Sequence, residues 1–100
     1  MKVVYVPEAE QELSDAAVYL AESARSVELG ERLLHEAAQC EQRIAERPNA
    51  WPMVGRRWRQ CLVTTFPYKI IYRVEGDIVR VYAFAHVKRR PGYWNKRLAR

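Results

Sequence analysis

The stretch YKIIYRVEG (residues 68–76), followed directly by DIVRVYAFAHV (residues 77–87), decides the fold of this chain. Both segments are rich in β-branched and aromatic residues that alternate with polar ones, a pattern typical of half-buried strands. Gly76 between them favours a tight turn, because glycine adopts a positive φ without steric cost. The stretch therefore predicts an antiparallel β-hairpin.

Alternation along the second strand of this hairpin predicts which residues share a face of the sheet. A small apolar set is expected beneath a helical layer: Val79, Val81, Ala83 and Ala85. A mixed set is expected on a face open to solvent or to a partner: Arg80, Tyr82, Phe84 and His86.

The segments before the hairpin add two strands and two helices. VVYV (residues 3–6) and RQCLVTTF (residues 59–66) have the composition of strands. Pro7, with acidic residues in the following turn, marks a helix start. A second helix is predicted over residues 28–46 and ends at RPNAWP (residues 47–52), because proline disfavours helix at the preceding residue. The first helix has the apolar stripe Ala9, Leu13, Ala16, Ala17, Leu20 and Ala24, and the second has Leu29, Leu33, Leu34, Ala37, Cys40 and Ile44.

The order β-α-α-β-β-β predicts one α+β domain over residues 1–100. We expect the helix hairpin to pack on one face of a mostly antiparallel four-stranded sheet, followed by a basic C-terminal tail. In the tail AHVKRRPGYWNKR (residues 85–97), the Pro-Gly pair is expected to turn the chain. Tyr93 and Trp94 would then fold back against the sheet.

Charge is divided along the chain. Residues 1–46 contain ten acidic and four basic residues, a net of −6, whereas residues 47–100 contain two and thirteen, a net of +11. A clustered basic half indicates an anionic partner such as nucleic acid, the ribosome or an acidic protein. The alternative is that the charge serves solubility alone.

What the sequence lacks disfavours several function classes. No segment has the apolar length of a membrane span or the pattern of a secretory signal, so we expect a cytoplasmic protein with Cys40 and Cys61 as reduced thiols. No glycine-rich phosphate loop, HExxH or GxSxG motif is present. Since only Glu75 and Asp77 are acidic in the basic half, we expect no metal and no other cofactor.

The end of the last strand and the tail carry candidate acid–base residues. RNA cleavage needs a base for the 2′-hydroxyl, a cation near the developing phosphorane charge and an acid for the leaving oxygen. His86, Arg89 and Tyr93, with Lys69 on the neighbouring strand, have side chains that suit these roles. The competing interpretation is a solvated face with a structural histidine.

A second basic cluster, VGRRWRQ (residues 54–60), places three arginines around Trp58. This composition suits phosphates and stacked bases, or a protein interface. The alternative is a buried Trp58 with the arginines as a rim. The candidate residues for contact with nucleic acid or another target are Arg56, Arg57, Trp58, Arg59, Arg73, Arg80, Lys88, Arg90 and Trp94.

The predicted strand, the helix pair and FPYKIIYRVEGDIVRVYAFAHVKRRPGYWNKR (residues 66–97) together resemble the RelE/ParE superfamily. These proteins are the toxins of bacterial type II toxin–antitoxin pairs, often called plasmid stabilisation proteins. The motifs FPY-x-I-x-Y and AH-x-x-R-x-PGYW, and the opening VPEAEQEL, carry the resemblance. It implies an acidic antitoxin that lies across the helices and the sheet, and operator DNA contacted only through the antitoxin complex. The antitoxin-binding residues it implies are Leu13, Leu20, Leu33, Tyr82 and Phe84.

The resemblance leaves two activities open. RelE-like members cut mRNA in the ribosomal A site, whereas ParE-like members inhibit DNA gyrase. Lys69 stands where an active-site arginine of the RelE-like pattern is usual, Arg89 stands on the second arginine and Tyr93 stands near the tyrosine. Gln60 and Leu62 stand at the places of the two lysines, and neither replaces them as a proton carrier. We therefore favour a ParE-like gyrase inhibitor that is not an enzyme, with a ribosome-dependent endoribonuclease as the alternative and a non-toxic binding module as a further one.

Overall fold

The predicted hairpin forms the centre of the sheet in the computed structural model, which describes residues 1–99. Its strands are β4 (Tyr68–Glu75) and β5 (Ile78–His86), joined by a turn in which Gly76 has a φ of 62°. The other elements are, in chain order, β1 (Lys2–Tyr5), α1 (Pro7–Ser23), α2 (Val27–Glu46), β2 (Met53–Val54), β3 (Trp58–Leu62) and the short 3-10 helix η1 (Asn95–Ala99). The α+β class is confirmed, and the predicted order β-α-α-β-β-β matches apart from one additional strand after α2.

The sheet has five strands in the order β1-β5-β4-β3-β2, and not the four that we predicted. The additional strand is β2, whose two residues pair antiparallel with the start of β3. A strand of two residues is too short to show an alternating pattern, so it could not be predicted from the sequence. β1 lies parallel to β5, and the remaining pairs are antiparallel.

A bulge in β5 changes which residues face the helices. Ile71 pairs with Ala83 and Tyr72 pairs with Val81, so Tyr82 is an extra residue with no partner on β4. An inserted residue shifts the period of two by one position and exchanges the faces of all residues after it. Our face prediction is therefore correct before the bulge and wrong after it.

The bulge divides the buried residues into two clusters, one on each face of the sheet. The cluster on the helix side contains Ala9, Ala16, Ala17, Leu33, Ala37, Cys40, Ile44, Cys61, Val63, Ile70, Tyr72, Val79, Val81 and Phe84. The cluster on the opposite face contains Trp58, Ile71, Tyr82, Ala83, Ala85 and Trp94. Ala83 and Ala85 thus lie under the C-terminal tail, and Phe84 packs with the helices. Trp94 is only 1% exposed, which confirms that the tail folds back on the sheet.

The residues at the start of each helix explain where it begins. α1 starts at Pro7, with Glu8 and Glu10 in its first turn, where carboxylates interact favourably with the helix dipole. α2 starts one residue before our prediction, because the Ser26 hydroxyl accepts a hydrogen bond from the Leu29 N–H and caps the helix. Leu34, which we placed in the inward stripe of α2, is instead 44% exposed. Among residues 1–99, no helix is long and apolar enough to cross a membrane.

Gly30 is the point of closest approach between the helices. A Cβ placed on it would lie 2.6 Å from the carbonyl oxygen of Ala17 and 3.2 Å from the Cβ of Ala21. The first of these neighbours is backbone, so it can only be avoided if α1 and α2 move apart. The absence of a side chain at Gly30 therefore permits the helix–helix contact.

We expect Gly30→Ala to lower the free energy of unfolding by about 2 kcal/mol, because overpacking outweighs the gain in helix propensity. Chemical denaturation followed by circular dichroism measures this change. The matched control is Glu31→Ala at the exposed neighbouring position, for which we expect a change within about 0.5 kcal/mol. An increase in stability for Gly30→Ala would contradict the close approach.

The cysteines differ from our prediction. Cys40 of α2 and Cys61 of β3 are paired as a disulfide, with their Cα atoms 6.9 Å apart. The sequence predicted reduced thiols because it shows no secretory signal, and it does not show that α2 crosses β3 at this position. The pair fastens the second helix to the sheet from within the first core cluster.

Candidate functional site

The four candidate acid–base residues do not lie on one face of the sheet. His86 follows Phe84 on the helix side, where its ring makes an edge-to-face contact with Tyr68 at 5.2 Å. Lys69 lies on the opposite face, with its Nζ 5.8 Å from the ring centroid of Trp94. The expectation that Lys69 and His86 share an open face is therefore wrong, and the bulge at Tyr82 is the reason.

Three of the four residues do come together at the end of β5. His86 and Arg89 line a cleft of about 270 Å³ against α1, together with Glu12, Asp15, Ala16, Tyr19, Tyr68 and Phe84. Nδ1 of His86 accepts a hydrogen bond from the Lys88 N–H at 3.1 Å. The Arg89 guanidinium stacks on the Tyr93 ring at 3.9 Å from its centroid. The tail residues thus gather around the first helix and leave Lys69 apart.

Glu12 of α1 holds this arrangement in place. Its carboxylate accepts hydrogen bonds from the Tyr93 hydroxyl at 2.7 Å and from the Phe84 N–H at 3.1 Å. The Arg97 guanidinium donates to both carboxylate oxygens, at 2.8 and 3.1 Å, and also to the Tyr82 carbonyl. One side chain therefore links α1, β5 and the C-terminal tail. In the sequence, Glu12 is distinguished only as an acidic residue near a helix start, so this role was not predicted.

The environment of Tyr93 keeps its proton in place. Burial and the hydrogen bond to Glu12 both raise the pKa of Tyr93 above its ordinary value. A phenol whose proton is already donated to a carboxylate is a poor acid for a leaving group. The family resemblance places Tyr93 near the position of a catalytic tyrosine. In the structure its hydroxyl instead has Glu12 as a partner within the fold.

The tryptophans among the predicted target-contact residues are buried. Trp58 is 5% exposed, packs edge-on against Tyr82 at 5.0 Å, and donates from Nε1 to Asn95 Oδ1 at 2.8 Å. Trp94 lies edge-on against Trp58 at 6.4 Å. Both indoles are therefore core residues of the second cluster, as the alternative interpretation of Trp58 had it.

The arginines that we predicted to contact a target divide into those with partners in the fold and those exposed at turns. Arg59 donates to the Trp51 carbonyl at 2.7 Å, and Arg73 lies 5.8 Å over the Trp58 ring. Arg80 donates to Glu75 at 2.8 Å, so these three are engaged within the fold. The remaining cations are exposed at two turns: Arg56, Arg57, Lys88 and Arg90.

Glu75 is the acidic residue that lies among these cations. Burial acts to raise its pKa, but hydrogen bonds from the Tyr82 hydroxyl and Arg80, with the charge of Arg73, lower the pKa overall. Glu75 is thus ionised and compensates part of the charge of Arg73 and Arg80. The ion-pair partners of Glu75 are Arg73 and Arg80, and neither Arg56 nor Arg57 is among them.

Three of the residues predicted to bind an antitoxin are core residues. Leu33, Tyr82 and Phe84 are buried, and Leu13 and Leu20 pack against the first cluster. The helix pair nevertheless has exposed large apolar side chains, which the stripes did not include except for Leu34. They are Val18, Tyr19, Val27 and Leu34. In the sequence, Val18, Tyr19 and Val27 lie beside the predicted stripes, whereas Leu34 was assigned to one of them.

Among residues 1–99, no group of three or more His, Cys, Asp or Glu side chains is arranged to hold a metal ion. The cleft beside α1 and the two clefts at Arg56 and Arg57 are lined by charged as well as apolar side chains. The arrangement therefore suits recognition by cations at the turns and by apolar residues on the helices.

Comparisons with known proteins agree with this architecture. A family model described as the ParE toxin of the type II toxin–antitoxin system parDE matches residues 3–91. A solved structure described as the chromosomal ParDE TA system from P. aeruginosa has a TM-score of 0.75 and 12% sequence identity. The match covers 86% of this chain and 95% of that chain, and at this identity it shows the fold. No curated protein matches significantly.

Proposed function

This chain belongs to the ParE toxin family of type II toxin–antitoxin systems, and we propose that it inhibits growth by protein–protein contact with DNA gyrase. A cognate antitoxin neutralises it by covering the toxin surface. Because gyrase acts on the chromosome, this proposal places the chain in the cytoplasm.

The observation that carries the proposal is the separation of the acid–base residues. Lys69 lies over Trp94 on one face of the sheet, while His86 contacts Tyr68 on the other. The Tyr93 hydroxyl is committed to Glu12. Acid–base cleavage of RNA needs convergent groups that can exchange protons, so this arrangement favours an inhibitor that acts by binding.

Exposed apolar residues on the helices support an antitoxin partner. Val18, Tyr19, Val27 and Leu34 are solvent-exposed on α1 and α2, and apolar anchors of this kind are enriched at the centres of protein interfaces. The solved structure with the same fold is described as a ParDE TA system. We propose that the antitoxin covers this helix face and extends toward the basic half of the chain.

We expect the purified chain to inhibit negative supercoiling of a relaxed plasmid by gyrase in a dose-dependent manner. His86→Gln serves as the matched variant, since it removes the candidate base and leaves the side-chain volume similar. Inhibition by binding predicts equal potency for the two proteins, which a plasmid gel assay measures. Unaffected supercoiling with a folded sample at high molar excess would contradict the proposal.

A ribosome-dependent endoribonuclease is the second candidate, and one observation favours it. His86 and Arg89 line the same cleft beside α1, and Arg89 stacks on Tyr93. This candidate predicts mRNA cleavage on translating ribosomes that His86→Gln abolishes. Intact mRNA in the presence of the folded chain would exclude it.

A further inference from the structure

Two neighbouring clefts share the same pair of arginines. Arg56 and Arg57 line a cleft of about 410 Å³ that reaches Trp94 and the tail turn at Pro91, and they also line a cleft of about 270 Å³ that reaches Arg73. None of the residues that line either cleft is acidic. By contrast, the cleft beside α1 contains Glu12 and Asp15.

Local geometry explains why this charge remains uncompensated. The pair follows Gly55, whose φ is 65°, at the turn between β2 and β3. The turn lies at the β2 edge of the sheet, and no residue of α1 or α2 lines either cleft. Both arginines are exposed, and neither forms an ion pair with any carboxylate of residues 1–99. The fold therefore presents two unpaired guanidinium groups next to Arg73.

The chemistry of this surface fits phosphate better than an acidic protein segment. The indoles near the arginines are already buried at 5% and 1% exposure, so they offer no apolar anchor to a protein and no platform for stacked bases. Met53 lines the smaller cleft and is 49% exposed, whereas the exposed apolar residues of α1 and α2 line neither cleft. Contacts to a nucleic-acid backbone are made mainly by arginine and lysine and carry no sequence information.

We propose that Arg56 and Arg57 bind the phosphate backbone of duplex DNA without regard to sequence, whereas Arg73 beside them is already paired with Glu75. This departs from the expectation that DNA is contacted only through an antitoxin complex. The choice of DNA and not RNA as the ligand rests on the proposed function, because gyrase holds duplex DNA. The ability of the two arginines to bind the backbone of a duplex does not depend on that function.

Fluorescence anisotropy with a short labelled DNA duplex of scrambled sequence tests the proposal on the full chain alone. We expect a Kd on the order of 10⁻⁵ M at physiological salt, weakening steeply as salt rises. The double variant Arg56→Ala/Arg57→Ala should bind about tenfold more weakly, and the slope of log K against log salt should decrease by about 2. Circular dichroism confirms that each variant is folded.

The matched control is Lys2→Ala/Arg43→Ala, which removes the same charge from two exposed residues on β1 and α2. We expect its affinity to stay close to that of the parent chain. Equal loss in the two double variants would overturn the proposal in favour of diffuse attraction, and so would the absence of binding by the folded chain.

Competition experiments test whether this surface instead binds an acidic protein segment or another nucleic acid. Displacement of the duplex by a poly-glutamate peptide at lower concentration than by unlabelled duplex would assign the surface to an acidic protein segment. Tighter binding of single-stranded DNA or of an RNA duplex would likewise overturn the assignment. Because the anisotropy assay contains no gyrase, a failure to bind DNA and a failure to inhibit supercoiling can be distinguished from each other.

Discussion

Trp58→Ala is expected to lower the free energy of unfolding by about 4 kcal/mol, the typical cost of removing a buried tryptophan. The indole fills the centre of the second cluster, between Tyr82 at 5.0 Å and Trp94 at 6.4 Å. It also donates to Asn95 at 2.8 Å and so fastens η1 to β3. A domain of this size has a total stability of about 5 to 15 kcal/mol, so the variant should lose a large part of it.

Trp58→Phe separates the two contributions of this side chain. Phenylalanine keeps most of the apolar contact with Tyr82 but cannot donate to Asn95, so we expect a much smaller loss, with about 1 kcal/mol from the hydrogen bond. Urea denaturation of the parent chain and both variants measures the difference. A loss below about 1 kcal/mol for Trp58→Ala would mean that the tail does not form a second core with the sheet.

The sequence predicted the parts of the fold that depend on local periodicity. The β4–β5 hairpin, both helices and the return of Trp94 to the sheet each follow from a pattern within a few residues. The bulge at Tyr82 does not, because an extra residue in a strand of valines, alanines and aromatics leaves the composition unchanged. Its effect is nonlocal, since it determines which face every later residue of β5 occupies.

The same distinction applies to the candidate site. The charge split predicted an anion-binding surface, and exposed arginines at the β2–β3 turn are consistent with that prediction. Whether an arginine is engaged within the fold depends on residues far away in sequence, as Arg80 with Glu75 and Arg97 with Glu12 show. Residue types alone therefore identified the basic surface but could not say which of its cations remain available.

Glu12→Ala is expected to lower the free energy of unfolding by about 2 to 3 kcal/mol, because several donors lose their acceptor at once. The Phe84 N–H and the Tyr93 hydroxyl would be left without a partner in partly buried positions, and each such loss costs about 1 kcal/mol or more. Arg97 would retain only the Tyr82 carbonyl for a charged group that is 13% exposed. Thermal unfolding measures the total, which corresponds to a decrease in Tm on the order of 10 °C.

The effect of Glu12→Ala should also be local to the C-terminal tail. Since Glu12 joins α1 to Tyr93 and Arg97, its loss releases the tail while the hairpin and helices keep their own contacts. We expect limited trypsin digestion to cleave the variant faster at Lys96 and Arg97 than the parent chain. Glu10→Ala, at an exposed position one half-turn away on the same helix, is the matched control and should change neither Tm nor cleavage appreciably. If both variants behave alike, the carboxylate contributes only helix charge, and the tail must be held by the packing of Trp94 alone.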